Sequence, residues 1–154
     1  MENAVILPRA SRPASPPSPT EKPKGLLKVR GEVLVERQIE QLLAAGITDI
    51  TVVVGYKKEY FFYLEDKFGV SIVVNPDYAS RNNSSSIKRV EDRLGNTYIC
   101  SSDDYFTENP FDRTYGSLYA VEFAEGPTPE WCVPNRRPRP HHPARPSAAR
   151  TPGT

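Results

Sequence analysis

The chain has 154 residues, which is long enough for one domain with a buried core. Its formal net charge at pH 7 is +1, but residues 1–133 alone are mildly acidic, so nothing in the folded part favours a nucleic-acid partner. Its two cysteines are too few for a disulfide framework or a zinc site. No apolar run approaches the ~18 residues of a membrane span, and we therefore expect a cytoplasmic protein without a membrane partner.

The sixteen prolines divide the chain into regions. Six lie between Pro8 and Pro23 and eight between Pro127 and Pro152, which predicts a folded part of roughly residues 25–133 together with the first strand. Residues 134–154 contain five arginines, both histidines and no acidic residue. This composition indicates a disordered basic tail. We therefore expect one domain over residues 1–133 and a Pro/Arg-rich tail over residues 134–154.

The first half of the chain predicts a strand, a helix and a second strand. The apolar residues 3–7 are typical of a strand covered on both faces in a parallel sheet. Between residues 32 and 45 apolar side chains recur near helical spacing, and Gly46 is a suitable C-cap. Residues 47–54 are rich in β-branched side chains and predict a second buried strand.

The second half continues this alternation of strands and helices. The predicted elements are a helix over residues 57–68 that stops at Gly69, a strand over 70–74, a helix over about 85–94, a strand over 97–101 and further strands over 115–123 and 130–133. Repeats of about 25 residues are typical of βαβ crossovers. We therefore predict an α/β fold, a Rossmann-like, doubly wound and mainly parallel sheet with flanking helices. Cys100 and Cys132 are expected to be reduced thiols, with Cys100 buried in its strand.

Two side chains are predicted to lie near the carboxyl ends of the strands, where such sheets bind ligands. Lys24 stands between Pro23 and Gly25 just beyond the loop that follows the first strand, and this stiff turn can direct its ammonium group towards a phosphate. Asp103 directly follows the fourth strand and can offer a carboxylate to the same crevice. The alternatives are a solvated surface lysine and an Asx-turn at a strand end.

Taken in chain order, the motifs resemble those of the nucleotidyltransferase (NTP-transferase) family. The resemblance is strongest to the bacterial choline-phosphate cytidylyltransferases and extends to the sugar-phosphate nucleotidyltransferases. The similar segments are the strand 3–7, Pro23-Lys24-Gly25 followed by Leu26-Leu27-Lys28-Val29, Asn82-Asn83 followed by Ser85, Asp103 followed by Tyr105-Phe106, and Glu130-Trp131.

This resemblance implies transfer of an NMP, with CMP favoured, from an NTP to phosphocholine or a sugar phosphate, with release of pyrophosphate. It implies that Lys24 contacts the phosphates and that Asp103 binds Mg²⁺, the expected cofactor. It also implies that Asn82, Asn83 and Ser85 lie near the base, whereas helix capping is the alternative for these three residues. The expected partners are CTP and a phosphorylated small-molecule acceptor.

Residues 8–20 depart from the family pattern, in which a loop resembling Ala-Ala-Gly-x-x-Ser-Arg-x-x-Pro-Leu contacts the triphosphate. This segment has no glycine and five prolines, and prolines lack the backbone N–H groups that bind phosphates. Because one base restored after the Leu7 codon can encode Ala-Ala-Gly-Leu-Ala-Ser-Arg, we hypothesise that residues 8–20 and 134–154 are read out of frame. Residues 1–133 are then a truncated nucleotidyltransferase domain that lacks the second magnesium-binding aspartate, and we expect little or no catalysis.

Two other classes of function remain open from the sequence. One is a non-catalytic nucleotide-binding or regulatory protein that has the fold without the chemistry. The other is a scaffold in which the tail of residues 134–154 binds SH3-like grooves or polyanions.

Overall fold

A parallel sheet forms the centre of the described part of the chain. The structure, a computed structural model, describes residues 2–7, 22–55, 57–78 and 83–111, together with Pro127. In chain order the strands are β1 (Glu2–Leu7), β2 (Lys28–Val29), β3 (Glu32–Val33), β4 (Ile50–Val54), β5 (Ser71–Val74) and β6 (Asn96–Ser101), and the α-helices are α1 (Leu34–Ala44), α2 (Tyr63–Phe68) and α3 (Asn83–Lys88).

The order of strands in the four-stranded sheet is β5-β4-β1-β6, and every neighbouring pair is parallel. The chain therefore moves outwards from β1 to β4 and β5, and then returns to the other side of β1 to form β6. This confirms the predicted α/β fold with a mainly parallel sheet and flanking helices. The reversal creates a topological switch point between β1 and β6, the position at which open α/β sheets bind ligands beyond the carboxyl ends of their strands.

Both faces of the sheet are covered by apolar side chains, as a parallel sheet requires. On one face Ala4 and Ile6 of β1 pack in a large cluster with side chains of α1 and α2, among them Val35 and Leu64. On the other face Val5 and Leu7 belong to a smaller cluster that includes Val53 and Val90. β4 is buried along its whole length because it is an interior strand covered on both sides.

Helix α1 ends with the glycine cap that the sequence predicts. Gly46 has a φ of +85°, a left-handed conformation that favours glycine. The Ile47 N–H then donates to the Leu42 carbonyl oxygen at 3.0 Å, which satisfies a carbonyl of the last helical turn. Because Ile47 closes the helix in this way, β4 begins at Ile50 and not at residue 47 as predicted.

The predicted helix start at residue 32 was wrong, because β2 and β3 form a hairpin before α1 begins at Leu34. The two residues that join these strands, Arg30 and Gly31, have φ values of +52° and +87°. Positive φ at both central positions is the signature of a type I′ turn, which matches the twist of a hairpin. Residues 32 and 33 therefore pair with a neighbouring strand before the chain becomes helical.

Two other predicted helices are shorter in the structure. The prediction over residues 57–68 corresponds to a 3₁₀ turn, Lys58–Tyr60, followed by α2, and Gly69 ends α2 with a φ of +70° as expected. The prediction over about 85–94 corresponds to α3 and a separate 3₁₀ turn, Glu91–Arg93. Between them the Val90 N–H donates to the Ile87 carbonyl oxygen at 3.0 Å, an i to i−3 bond that ends the α-helical pattern. The Val90 side chain is buried.

Of the four other predicted strands, two are confirmed and two fall on residues that the structure does not describe. β5 and β6 confirm the strands predicted over residues 70–74 and 97–101 to within one residue. The strands predicted over residues 115–123 and 130–133 lie outside the described residues.

The chain divides into two compact units, Met1–Asp112 and Arg113–Thr154, and all the elements named above belong to the first unit. Within the described part of the chain no helix is long and apolar enough to cross a membrane.

Candidate functional site

The candidate site lies where β1 and β6 end side by side. Leu7 and Ser101 are partners in the parallel ladder, and the Ser102 N–H donates to the Leu7 carbonyl oxygen at 2.9 Å. Asp103 follows immediately as part of the turn 101–104, which the Asp104 N–H closes by donating to the Ser101 carbonyl oxygen at 3.2 Å. Asp103 is half-buried and its Oδ1 atom is fully buried. The switch-point crevice thus has an acidic residue on its rim.

The Pro-Lys-Gly segment packs directly against this acidic turn. Lys24 opens a 3₁₀ turn, Lys24–Leu26, in which the Leu26 N–H donates to the Pro23 carbonyl oxygen at 2.9 Å. Gly25 is buried, and a Cβ atom added to it would lie 3.0 Å from both Cβ and Oγ of Ser102. Glycine suits this position because a Cβ atom would crowd Ser102, which would have to shift by a few tenths of an ångström.

This contact brings together the two residues that the sequence singled out on chemical grounds. Lys24 precedes Gly25 and is exposed, and Asp103 follows Ser102 and is half-buried. The Gly25–Ser102 contact therefore places the backbones of a cationic and an acidic residue side by side at the end of the sheet. We call the Lys24–Leu26 turn and the turn 101–104 together the strand-end site.

Helix α1 holds the acidic turn through polar side chains whose role the sequence pattern did not predict. The Nε2 atom of Gln38 donates to the carbonyl oxygens of Ser101 and Asp104, both at 2.7 Å. Gln38 is 1% exposed. The signal that could have identified it is a polar residue on the apolar face of the predicted helix, three residues after Val35 and four before Leu42.

Two more residues of α1 continue these backbone contacts along the chain after Asp103. Arg37 donates to the carbonyl oxygens of Phe106 and Thr107 at 2.9 and 3.1 Å, and its guanidinium lies 4.8 Å from the ring centroid of Tyr105. Gln41 donates to the carbonyl oxygens of Phe106 and Glu108, both at 3.2 Å. The segment after β6 is consequently held to α1 over its whole described course.

The third predicted motif lies after β5, at the same edge of the sheet. Asn75 is fully buried, and its Nδ2 atom donates to the hydroxyl oxygens of Ser85 and Ser86, both at 2.9 Å. Ser85 therefore has a contact that organises the start of α3, and its place near a base stays a prediction. Asn83 is the first residue of α3, and Asn82, like Glu130-Trp131, lies outside the described residues.

The available carboxylates limit the kind of metal site that is possible. Among the described residues, no group of three or more His, Cys, Asp or Glu side chains is arranged to hold a metal ion. Mg²⁺ commonly binds one or two protein carboxylates and takes its other ligands from phosphates and water. Asp103 and the adjacent Asp104 provide that smaller set, so the donor chemistry of the strand-end site fits Mg²⁺ bound together with a phosphate chain.

Cys100, the last residue but one of β6, has no chemical role in this arrangement. It is buried as predicted, with 7% exposure. Burial raises the pKa of the Cys100 thiol to about 12, and the carboxylate of Asp104 adds to this shift. A thiol with so high a pKa is neutral at physiological pH and is a poor nucleophile.

Comparisons with known proteins connect this geometry to a family. A family model described as the MobA-like NTP transferase domain matches residues 9–106. The choline-phosphate cytidylyltransferase of Streptococcus pneumoniae is 39% identical over 132 residues, which are 84% of this chain and 57% of that protein. The 2-aminoethylphosphonate cytidylyltransferase of Lancefieldella rimae is 36% identical over 134 residues, which are 84% of this chain and 54% of that protein.

A solved structure of a cytidylyltransferase also resembles this chain. The CTP:phosphocholine cytidylyltransferase of Streptococcus pneumoniae superimposes with a TM-score of 0.66 and 40% sequence identity, over 72% of this chain and 49% of that one. The chain thus spans about half the length of the relatives that it matches.

Proposed function

Because this chain belongs to the MobA-like NTP transferase domain family, we propose that its strand-end site binds a nucleoside triphosphate, with CTP favoured, together with Mg²⁺. The family resemblance read from the motifs around Lys24 and Asp103 is confirmed at this level. CTP is favoured because two similar proteins are cytidylyltransferases by name. The proposed acceptor is a phosphorylated small molecule of the phosphocholine or sugar phosphate class.

The observation that carries the proposal is the contact of Gly25 with Ser102, which supports a joint role for Lys24 and Asp103. In the proposed reaction an acceptor phosphate oxygen attacks the α-phosphorus of the NTP, and the bond to the bridging oxygen of the β-phosphate breaks to release pyrophosphate. The ammonium group of Lys24 would neutralise the phosphate chain. The carboxylate of Asp103 would hold Mg²⁺, which supplies charge neutralisation for the phosphates when it is bound.

We further propose that this chain catalyses the transfer weakly or not at all. Residues 8–20 contain no glycine and five prolines, and such a segment supplies few of the backbone N–H groups that bind a triphosphate. The same observation favours the second candidate function, a non-catalytic nucleotide-binding or regulatory domain. Magnesium-dependent CTP binding without pyrophosphate release would distinguish this candidate from an active enzyme.

The proposal is tested by isothermal titration of the full chain with CTP, with and without Mg²⁺. Lys24→Ala and Asp103→Asn are each expected to weaken binding at least about tenfold, because each removes a charge that contacts the phosphates or the cation. The matched controls are Lys22→Ala and Asp92→Asn, which change exposed residues of the same kind and are expected to leave binding within about twofold. Equal effects of site and control variants would contradict the proposal.

A second variant tests the assignment of weak catalysis to residues 8–20. Replacing them with Ala-Ala-Gly-Leu-Ala-Ser-Arg-Val-Ala-Ala-Leu-Ala-Tyr introduces a glycine, removes the five prolines and gives the Ala-Ala-Gly-x-x-Ser-Arg order of the family pattern. CTP affinity is expected to rise at least about tenfold, because the segment gains backbone donors for the phosphates. Release of pyrophosphate from CTP and phosphocholine, measured in parallel, reports whether catalysis rises as well. An unchanged affinity would show that the composition of this loop does not limit binding.

A further inference from the structure

Gln38 contacts the acidic turn at two points that lie on either side of Asp103. The two carbonyl oxygens that accept from its Nε2 atom belong to Ser101 and Asp104, the first and last residues of the turn 101–104. Both hydrogens of the amide group are used, one for each end of the turn. The side chain therefore spans the turn from the side of α1.

The burial of this glutamine is not explained by packing alone. Its Oε1 atom is buried and has no hydrogen-bond donor among the described residues, and a buried acceptor without a donor costs free energy. A methionine of similar volume would fill the same space without that cost. The amide orientation is nevertheless determined, since a flipped amide would direct Oε1 at two carbonyl oxygens. The advantage of a glutamine at this position is therefore the pair of hydrogen bonds that it donates to the turn 101–104.

The turn 101–104 also contacts the end of β1 and the Lys24–Leu26 turn, so Gln38 adds a third contact. The Ser102 N–H is bonded to Leu7 at the end of β1, and Ser102 packs on Gly25. These contacts hold the first half of the turn, before Asp103. The bond from Gln38 to Asp104 holds the second half, after Asp103.

We propose that Gln38 is a positioning residue that fixes the turn carrying Asp103 and thereby sets the affinity of the strand-end site for Mg²⁺ with a nucleotide. The part of this inference that concerns affinity rests on the proposed function. Gln38 does not itself touch the ligand, and it acts through the backbone on either side of Asp103.

The first test measures the turn without any ligand. In the full chain, Gln38→Met is expected to accelerate amide hydrogen exchange at Ser102 and Asp104 at least about tenfold, because local opening of the turn becomes easier. Gln41→Met is the matched control, since Gln41 lies one turn further along α1 and makes the same kind of contact with carbonyls beyond the acidic turn. The control is expected to leave exchange of the turn unchanged.

The second test measures CTP binding by calorimetry. Gln38→Met is expected to weaken the Mg²⁺-dependent affinity about tenfold while the affinity measured without Mg²⁺ stays unchanged, and Gln41→Met is expected to change neither by more than about twofold. If Gln38→Met does not fold, Gln38→Asn keeps the amide but shortens its reach by one methylene group and is expected to give the same pattern.

The outcomes separate this inference from the proposed function. Unchanged exchange in the Gln38 variants, or equal losses of affinity in the Gln38 and Gln41 variants, would overturn the positioning role. If the unmodified chain does not bind CTP in Mg²⁺, the proposed function fails, and the exchange experiment alone then decides whether Gln38 holds the turn.

Discussion

The loops that follow β5 and β6 are each held by a buried carboxamide side chain. The two carboxamides differ in their separation along the sequence from the residues that they contact. Asn75 bonds to residues ten and eleven positions later and accepts from the Asp77 N–H two positions later. Gln38 bonds to residues that are 63 and 66 positions away. The loop after β5 is therefore organised locally, whereas the loop that carries Asp103 depends on the docking of α1.

This difference has a consequence for how each loop responds to perturbation. The Asn75 contacts form within one stretch of chain, so they require only that the segment from β5 to α3 adopts its local structure. The Gln38 contacts form only after α1 packs on the sheet through Val35, Ile39 and Leu42. Loss of the Gln38 contacts is accordingly expected to affect the turn that carries Asp103 and to leave the loop after β5 unaffected.

The largest effect is expected from placing a charge where the Gln38 amide lies. Gln38→Glu directs a carboxylate at two carbonyl oxygens in a buried position, and we expect a loss of about 3–5 kcal/mol of unfolding free energy at pH 7.5. Burial raises the pKa of the introduced carboxyl group in the folded state. The neutral form is therefore favoured by folding, so the loss is smallest below the unfolded-state pKa of about 4.3 and grows as pH rises.

Urea unfolding at pH 4.5 and pH 7.5 measures this effect. Gln41→Glu is the control, because the Gln41 side chain is only half-buried and its loss is expected to be smaller. A loss for the Gln38 variant that does not depend on pH would contradict a buried carboxylate at this position.

The corresponding change in the locally held loop is Asn75→Ala. It removes a fully buried amide together with its hydrogen bonds to the hydroxyl groups of Ser85 and Ser86 and to the Asp77 N–H, so we expect a loss of about 2–4 kcal/mol of unfolding free energy. Exchange of the turn 101–104 is expected to stay unchanged, since that turn is held from α1. Urea unfolding and hydrogen exchange measure the two results, with the exposed Asn96→Ala as control. Faster exchange at Asp104 in the Asn75 variant would show that the two loops are coupled.

A third change tests whether any disturbance of α1 reaches Asp103. Glu36 lies on α1 and accepts hydrogen bonds from Tyr63 and Lys67 of α2, both at 2.7 Å. Burial opposes ionisation of Glu36, but the bonds from Lys67 and Tyr63 outweigh it and lower the pKa of the carboxyl below its ordinary value of 4.5. A lowered folded pKa means that this contribution is present above the unfolded pKa and is lost as pH falls through the folded value.

Glu36→Gln is therefore expected to cost about 0.5–1 kcal/mol at pH 7 and less as pH falls below about 4, measured by urea unfolding. The exchange of the acidic turn is expected to stay unchanged, in contrast to the Gln38 variants. An equal acceleration of exchange would mean that α1 acts on the turn through its general stability and not through Gln38.

The smallest effect is a change in the labelling rate of Cys100, which lies three residues before Asp103. With a pKa of about 12, only about one thiol in ten thousand is ionised at pH 8, and burial adds a further barrier to alkylation. In a Cys132→Ser background, iodoacetamide is expected to label Cys100 very slowly, and Gln38→Met is expected to increase the rate several-fold. Rapid labelling of the otherwise unmodified background would contradict the burial of this strand end.

The general form of the fold could be predicted because it depends on short-range patterns. Buried strands were recognised from runs such as residues 50–54, and the end of α1 was recognised from Gly46. The hairpin before α1 was missed because two-residue strands carry little periodicity and because only Gly31, and not Arg30, is a residue that type I′ turns favour. The early end of α3 was missed because the burial of Val90 depends on side chains of β1 and β4.

The order of apolar, β-branched and glycine residues along the chain is enough to specify which segments become strands and helices, since these preferences arise from neighbouring residues. The same order marked Lys24 and Asp103 as chemically informative. The order of residues did not reveal the role of Gln38, because this glutamine can bond to the turn only when packing brings α1 against carbonyl groups more than sixty residues away. Such contacts form through hydrophobic burial of whole elements, and the positions of their polar atoms follow from that packing.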